Sequence, residues 1–172
     1  QVDSVLRISQ LDKGTLPIDK KNINIHNVLK ASINHVSLIV SSRKGQISFD
    51  IENKNMMING NEDHLTNLFI NILDNSIKYS VLPPNIRITG NRNNGMISIS
   101  IKDNGIGMDE SSQKLIFKKF YRAQMGNIHD IKGHGLGLTY VKKIVDLHFG
   151  SIKLKSKKGA GTTFTVSLPL IW

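Results

Sequence analysis

Four polar side chains recur along one line of the segment 61–80: Asn67, Asn71, Asn75 and Lys78, spaced four, four and three residues apart. In a helix those spacings put all four on one side. Asparagine is a mediocre residue for helix interiors, because its amide competes for backbone hydrogen bonds. A line of amides ending in an ammonium therefore reads as a polar wall facing something that needs amides and a cation. Downstream, Asp103-Asn104-Gly105-Ile106-Gly107-Met108 stands at the end of an alternating stretch, where a turn can bring an acid beside a ligand. A buried carboxylate there can accept hydrogen bonds from an exocyclic amine, and Gly105 and Gly107 permit close approach and positive φ. A second run, Gly133-His134-Gly135-Leu136-Gly137-Leu138, leads straight into a helical stripe. Amides without side chains at a helix N-terminus suit an anion such as phosphate. Taken singly, each glycine run is more often a plain turn. The second does not follow a strand, which removes the dinucleotide-fingerprint reading.

The elements that must position these groups follow from periodicity. Leu65, Leu68, Phe69, Ile72, Leu73 and Ile77 recur at threes and fours, the pattern of a helix with one buried face. Asn61, followed by Glu62 and Asp63, supplies its cap and the acids that suit its positive end. Ahead of it the sequence predicts the end of a helix over 1–11, a polar connection over 12–22 with Gly14 and Pro17, a short strand at 23–25, and a helix over 27–42 ended by Gly45. Residues 46–52 alternate, with Ile47, Phe49 and Ile51 inward, and 56–59 reads as the return strand of a hairpin. Pro83-Pro84 breaks the chain after the Asn-rich helix, and the alternation of 86–89 and 97–102 around a polar turn reads as another hairpin. Over 103–137 alternation stops, leaving a short amphipathic piece at 110–120 and an aperiodic polar segment at 123–132; irregular stretches this long are often lids or binding loops. Leu138, Val141, Ile144, Val145 and His148 restore a helical stripe, and strands at 151–156 and 162–168 close the chain around Gly159-Ala160-Gly161, most simply a hairpin turn.

Nearly every strand is apolar on one face only, whereas a sheet buried between two helical layers shows continuous apolar runs. The expected architecture is a two-layer α/β sandwich: one open, mixed but largely antiparallel sheet with helices on one face. The 172 residues, 39% hydrophobic and 21% charged, suit one soluble domain. The sequence holds no apolar run of membrane-spanning length, no secretory signal at its start and no cysteine, so disulfides and thiolate metal sites are excluded. A net charge of +10 favours an anionic partner such as a nucleotide, nucleic acid, acidic protein or membrane surface, with solubility an equally good account.

These motifs together resemble the catalytic, ATP-binding domain of sensor histidine kinases, within the superfamily of gyrase, Hsp90, histidine kinases and MutL. Asn71-Ile72-Leu73-Asp74-Asn75-Ser76-Ile77-Lys78-Tyr79-Ser80 resembles the N box, residues 103–108 the G1 box, Phe117-Lys118-Lys119-Phe120-Tyr121-Arg122 the F box, residues 133–138 the G2 box, and 159–163 the final glycine motif. The likeness covers about residues 22–170 with every motif in the family's order. It implies the Bergerat-type ATP-binding fold, which is the sandwich already inferred.

The resemblance also implies roles. Asn75 would coordinate Mg²⁺ bridging the ATP phosphates, with Asn71 as second ligand or phosphate contact. Lys78 would neutralise phosphate charge and Tyr79 would line the pocket. Asp103 would accept the adenine amine, supported through water by Thr163, while Gly105 and Gly107 let the backbone pass close to the base. Arg122 would meet the γ-phosphate; Gly133, His134, Gly135, Leu136, Gly137 and Leu138 would surround the phosphates; and 123–132 would be the ATP lid. In the gyrase and Hsp90 relatives a glutamate one turn before the metal asparagine activates water; here that position is Asn71, which cannot act as a base. Delivery of the γ-phosphate to another nucleophile is favoured, in keeping with catalysis by positioning and charge stabilisation. That nucleophile would be a histidine of the dimerisation domain, followed by an acid. His129-Asp130 falls in the lid segment and reads as a chance dipeptide, His26 and His35 as structural or solvated, and His64 and His148 as partly buried surface residues.

The expected organisation is therefore the end of a dimerisation and phosphoacceptor helix at 1–12, a linker at 13–22 and the catalytic domain at 23–172. The family pattern implies a membrane-anchored, homodimeric parent with this part in the cytoplasm, a response regulator as partner, and a fragment that is itself monomeric. Two positions depart from the pattern: Lys118-Lys119 replaces an acid and proline, and Ser76 replaces the common alanine. Competing readings are an independent ATPase, a catalytically silent nucleotide-sensing module, and a basic nucleic-acid binder. The last is disfavoured: aromatics make up only 6%, and Lys153 and Lys155 alternate on one strand face as a solvated surface does, so no nucleic-acid partner is expected.

Overall fold

The computed structural model describes residues 18–51, 56–122 and 135–171. In chain order the elements are β1 (Lys21–Asn24), α1 (Ile25–Ser42), β2 (Gln46–Asp50), β3 (Met57–Gly60), α2 (Glu62–Lys78), β4 (Asn85–Asn93), β5 (Met96–Lys102), α3 (Glu110–Leu115), α4 (Gly137–Leu147), β6 (Ser151–Ser156) and β7 (Thr162–Pro169). A five-stranded sheet runs in the order β2-β4-β5-β7-β6, parallel between β2 and β4 and antiparallel elsewhere. A parallel pair needs a long crossover, and here β3 and α2 form it. The helices α1, α2 and α4 lie on one face, with α2 packed between the other two. The structure is thus the expected mixed α/β sandwich.

Alternation explains why one face is covered. Ile88, Ile101, Phe164 and Leu154 stand side by side across β4, β5, β7 and β6, and Ile99, Val166 and Ile152 form the next row. The residues between them point away: Thr89, Ser100, Thr165 and Lys153 line the helix-free face, where the Ser100 and Thr165 hydroxyls meet at 3.0 Å and those of Ser98 and Ser167 at 2.8 Å. All six apolar positions named for α2 are buried, none more than 3% exposed. Burial of each such side chain contributes about 1.5–3 kcal/mol. Asn61 caps α2, its side-chain oxygen accepting from the His64 amide at 2.9 Å. At the other end Arg43 donates to the carbonyls of Ile77 and Ser80, which satisfies acceptors that a helix end leaves open.

Some boundaries and one pairing differ from the sequence expectation. The strand expected at 23–25 occupies Lys21–Asn24, so it begins inside the expected linker, and α1 starts at Ile25 because Asn24 accepts from the His26 amide at 3.0 Å. Met57–Gly60 is not the hairpin partner of β2. It pairs antiparallel with β1 in a separate two-stranded sheet, while β2 pairs with β4. Alternation records which face of a strand is buried and carries nothing about its neighbour. The amphipathic piece at 110–120 is helical only over Glu110–Leu115, capped by Asp109, whose carboxyl is lowered to about 2 chiefly by the Ser112 amide and the Ser111 and Ser112 hydroxyls. The expected helix at 1–11, residues 13–17 of the linker, the lid segment 123–132, Gly133, His134 and His129-Asp130 lie outside the described residues.

Candidate nucleotide site

Asp103 follows the last residue of β5 and is only 6% exposed. Its Oδ1 accepts from the amides of Gly105 at 2.9 Å and Thr162 at 3.0 Å, and its Oδ2 accepts from the Ser76 hydroxyl at 3.1 Å. Burial pushes this carboxyl above its usual range, and the Gly105, Thr162 and Ser76 hydrogen bonds oppose the rise. The strand-to-turn junction is held from three sides. The Asp103 amide donates to the Thr162 carbonyl at 2.9 Å, the Ile106 amide to the Tyr79 carbonyl at 3.0 Å, and the Gly159 amide to the Ile106 carbonyl at 2.7 Å. Asn104, which the sequence reading passed over, ties the turn to the segment after α2. Its side chain accepts from the Asn85 amide at 2.9 Å and donates to the Pro83 carbonyl at 3.1 Å. Gly107 has φ +67, and a Cβ there would fall 2.0 Å from the Lys157 carbonyl oxygen, so this position tolerates no side chain.

Ser76 ties α2, the helix that carries the polar line, to Asp103. Asn71 is half-buried; its amide nitrogen donates to the Asn67 carbonyl at 2.8 Å, which leaves its side-chain oxygen free of that bond. A Cβ on Gly137 would sit 2.6 Å from that oxygen, so the first residue of α4 abuts Asn71. No side chain caps α4, and its first turn carries no acid. Asn75 is half-buried one turn beyond Asn71, and Tyr79 is half-buried as the C-cap of α2. Lys78 is exposed and pairs with Asp74 at 2.5 Å along the helix.

Gly135 and Leu136 precede α4; Leu136 is 5% exposed and Leu138 packs against the core. The Phe120 amide donates to the Gly135 carbonyl at 3.0 Å, and the Thr139 hydroxyl to the Phe117 carbonyl at 3.1 Å, so the two aromatic and glycine motifs are held together. Arg122 is exposed at the end of its described run.

Thr163 is not beside Asp103. It lies on the helix-free face of β7, in register with Lys102 of β5 and Lys155 of β6. The residue that meets Asp103 is Thr162, through its backbone amide and carbonyl; its place on the inward parity of Phe164 and Val166 was the available signal. His148 also differs from expectation. At 2% exposure it is fully buried, with Nε2 accepting from the Asn61 amide at 3.0 Å and Nδ1 2.8 Å from the Ile144 carbonyl. An amide can only donate and a carbonyl only accept, so the ring is neutral with its proton on Nδ1.

Residues 60–171 match the family described as histidine kinase-, DNA gyrase B-, and HSP90-like ATPase, and the chain belongs to that family. Among curated relatives, the sensor protein RprX of Bacteroides fragilis is 40% identical over 175 residues, covering 99% of this chain and 33% of RprX. The heme sensor protein HssS of Staphylococcus saprophyticus is 35% identical over 164 residues, covering 95% of this chain and 34% of HssS. The chain spans about a third of the length of these relatives. Among solved structures, the mycobacterial sensor histidine kinase MprB matches with a TM-score of 0.75 at 24% identity, over 88% of this chain and 97% of that one. Full-length ShkA in complex with AMPPNP matches with a TM-score of 0.86 at 20% identity, over 98% of this chain and 35% of that one. At these identities the structural likeness speaks to the fold.

Among the described residues no helix is long and apolar enough to cross a membrane, and no cluster of three or more His, Cys, Asp or Glu side chains is gathered as a metal site.

Proposed function

We propose that this chain carries the Mg-ATP-binding catalytic module of a two-component sensor histidine kinase and passes the γ-phosphate to a histidine outside it. The carrying observation is Asp103: a buried carboxylate, fixed by two backbone amides and one hydroxyl, at the foot of a helix lined with amides. A buried acceptor with this geometry suits the exocyclic amine of adenine, and a missing partner there would carry a desolvation cost. Asn71 and Asn75 present neutral oxygen donors, which fits a Mg²⁺ held mainly by phosphate oxygens and water. When bound, the ion would supply positive charge that neutralises the phosphates. The uncapped start of α4, at Gly137 beside Asn71, offers amides to the same anion. In this reading Lys78 leaves Asp74 to meet phosphate, Tyr79 lines the pocket, Gly105 and Gly107 pass close to the base, and Arg122 faces the γ-phosphate. Thr162 takes the supporting role expected of Thr163. Gly133, His134, Gly135, Leu136 and Leu138 complete the phosphate surround, and residues 123–132 serve as lid.

Asn71 also supports transfer over hydrolysis, since an amide cannot deprotonate water. The acceptor histidine, the homodimer, the response regulator and a membrane anchor would belong to the parent, with residues 1–12 ending its dimerisation helix. The complex of ShkA with AMPPNP supports the choice of probe. Calorimetric titration with AMPPNP, with and without Mg²⁺, is expected to show Mg-enhanced binding that Asp103→Ala abolishes. With a dimerisation module supplied in trans, ATP should then label its histidine while the chain alone gives no steady-state turnover above background. Equal AMPPNP affinity in wild type and Asp103→Ala would overturn the site, and sustained turnover by the chain alone would favour the independent ATPase.

A further inference from the structure

We propose that Ser76 is a positioning residue for base recognition, holding the Asp103 carboxylate in the one orientation that leaves a single acceptor position on Oδ2 for a ligand N–H. The inference rests on the nucleotide reading above and deepens it. An ionised carboxylate offers about four acceptor positions. The Gly105 and Thr162 amides occupy both positions of Oδ1, and the Ser76 hydroxyl occupies one on Oδ2. One remains. Ser76 is itself 2% exposed, so its hydroxyl is turned to protein partners.

That hydroxyl has two acceptors within reach, Asp103 Oδ2 at 3.1 Å and the Ile72 carbonyl at 3.2 Å. With Asp103 ionised, the proton is best spent on the carboxylate, where a charge-assisted bond is the stronger one. With Asp103 protonated, the hydroxyl turns to Ile72 and its own oxygen accepts from the acid. Serine satisfies both states; an alanine satisfies neither. The consequence is that Ser76 extends, towards acid, the range over which Asp103 can accept an amine.

Among the described residues the groups facing Asp103 are few. From α2 come Ser76 and the half-buried Tyr79, whose carbonyl lies against Gly105; from β7 the Thr162 amide; and from its own turn Gly105. Lys102 points to the opposite face of β5, Lys157 presents its carbonyl to Gly107 with an exposed side chain, and Lys158 is exposed. Burial raises the Asp103 carboxyl, and the Gly105, Thr162 and Ser76 hydrogen bonds oppose the rise.

The test uses Ser76→Ala, which restores the residue common in the family and so keeps the packing. Two readouts are followed: the Asp103 carboxyl titration by carbon-detected NMR without ligand, and ADP affinity by calorimetry across pH. Both the carboxyl midpoint and the acid limb of the ADP profile should move up by about one pH unit, a tenfold change in proton affinity. At alkaline pH the affinity should stay within about threefold of wild type, because Oδ2 is still anionic there. Ser76→Thr, which keeps the hydroxyl, should return both curves towards wild type. Superimposable wild-type and Ser76→Ala curves with intact ADP binding would overturn the role of Ser76 alone. Failure of wild type to bind ADP at any pH would overturn the nucleotide reading and, with it, any part in base recognition.

Discussion

At the residue scale, Asp103 trades stability for an acceptor. Its carboxyl is raised above 3.8 by burial, so the native state binds the proton more tightly than the unfolded chain does. The ionised form therefore lowers stability at neutral pH, and that loss is recovered as pH falls through the raised value towards 3.8. Asp103→Asn keeps an oxygen for Gly105 and Thr162 and offers its amide to the Ser76 oxygen. It should be more stable than wild type to urea at pH 7, by an amount that shrinks as the pH is lowered, while losing AMPPNP affinity about tenfold to a hundredfold. His148 has the opposite sign. Burial lowers it from 6.5, so its contribution is fully present above 6.5 and is lost as pH falls below that value. His148→Gln is expected to cost about 1–3 kcal/mol at pH 7.5, because the Asn61 amide loses a fitted acceptor. It should also flatten the decline in stability between pH 7 and 5, which urea titrations at several pH values would read.

At the element scale, α2 and α4 meet where a glycine replaces what helix propensity would choose. Alanine is favoured over glycine inside a helix by about 1 kcal/mol, yet a Cβ at Gly137 would press on the Asn71 oxygen at 2.6 Å. A flexible amide can turn aside at little cost. Gly137→Ala should therefore leave thermal unfolding unchanged or slightly later while weakening AMPPNP binding, a split that a simple packing defect would not give. These two helices also show what the sequence discloses. The six buried positions of α2, its Asn61 cap and the exposed acid turn of its start were all legible, because a 3.6-residue repeat and short polar caps are local signals. Asp103 was legible as an acid between an alternating strand and two glycines. Arg43 closing α2, His148 joining α4 to Asn61, and β3 lying on β1 were not, since each joins residues far apart in the chain. Thr162 was lost to a slip of one residue, which in a strand exchanges the two faces.

At the scale of the whole molecule, the sheet ends, among the described residues, at β2 on one side and β6 on the other. An edge strand presents unpaired amides and carbonyls that can capture a strand from another molecule. On β6 the exposed residues are Ser151, Lys153 and Lys155, and on β2 they are Gln46, Ser48 and Asp50. Two copies approaching through β6 would bring ammonium groups together, so Lys153 and Lys155, which also add to the net charge, oppose pairing at that border. Replacing Lys153 and Lys155 with valine should leave AMPPNP affinity intact and raise concentration-dependent light scattering. Increased scattering by the valine variant would assign part of the chain's positive charge to opposing strand capture at that border.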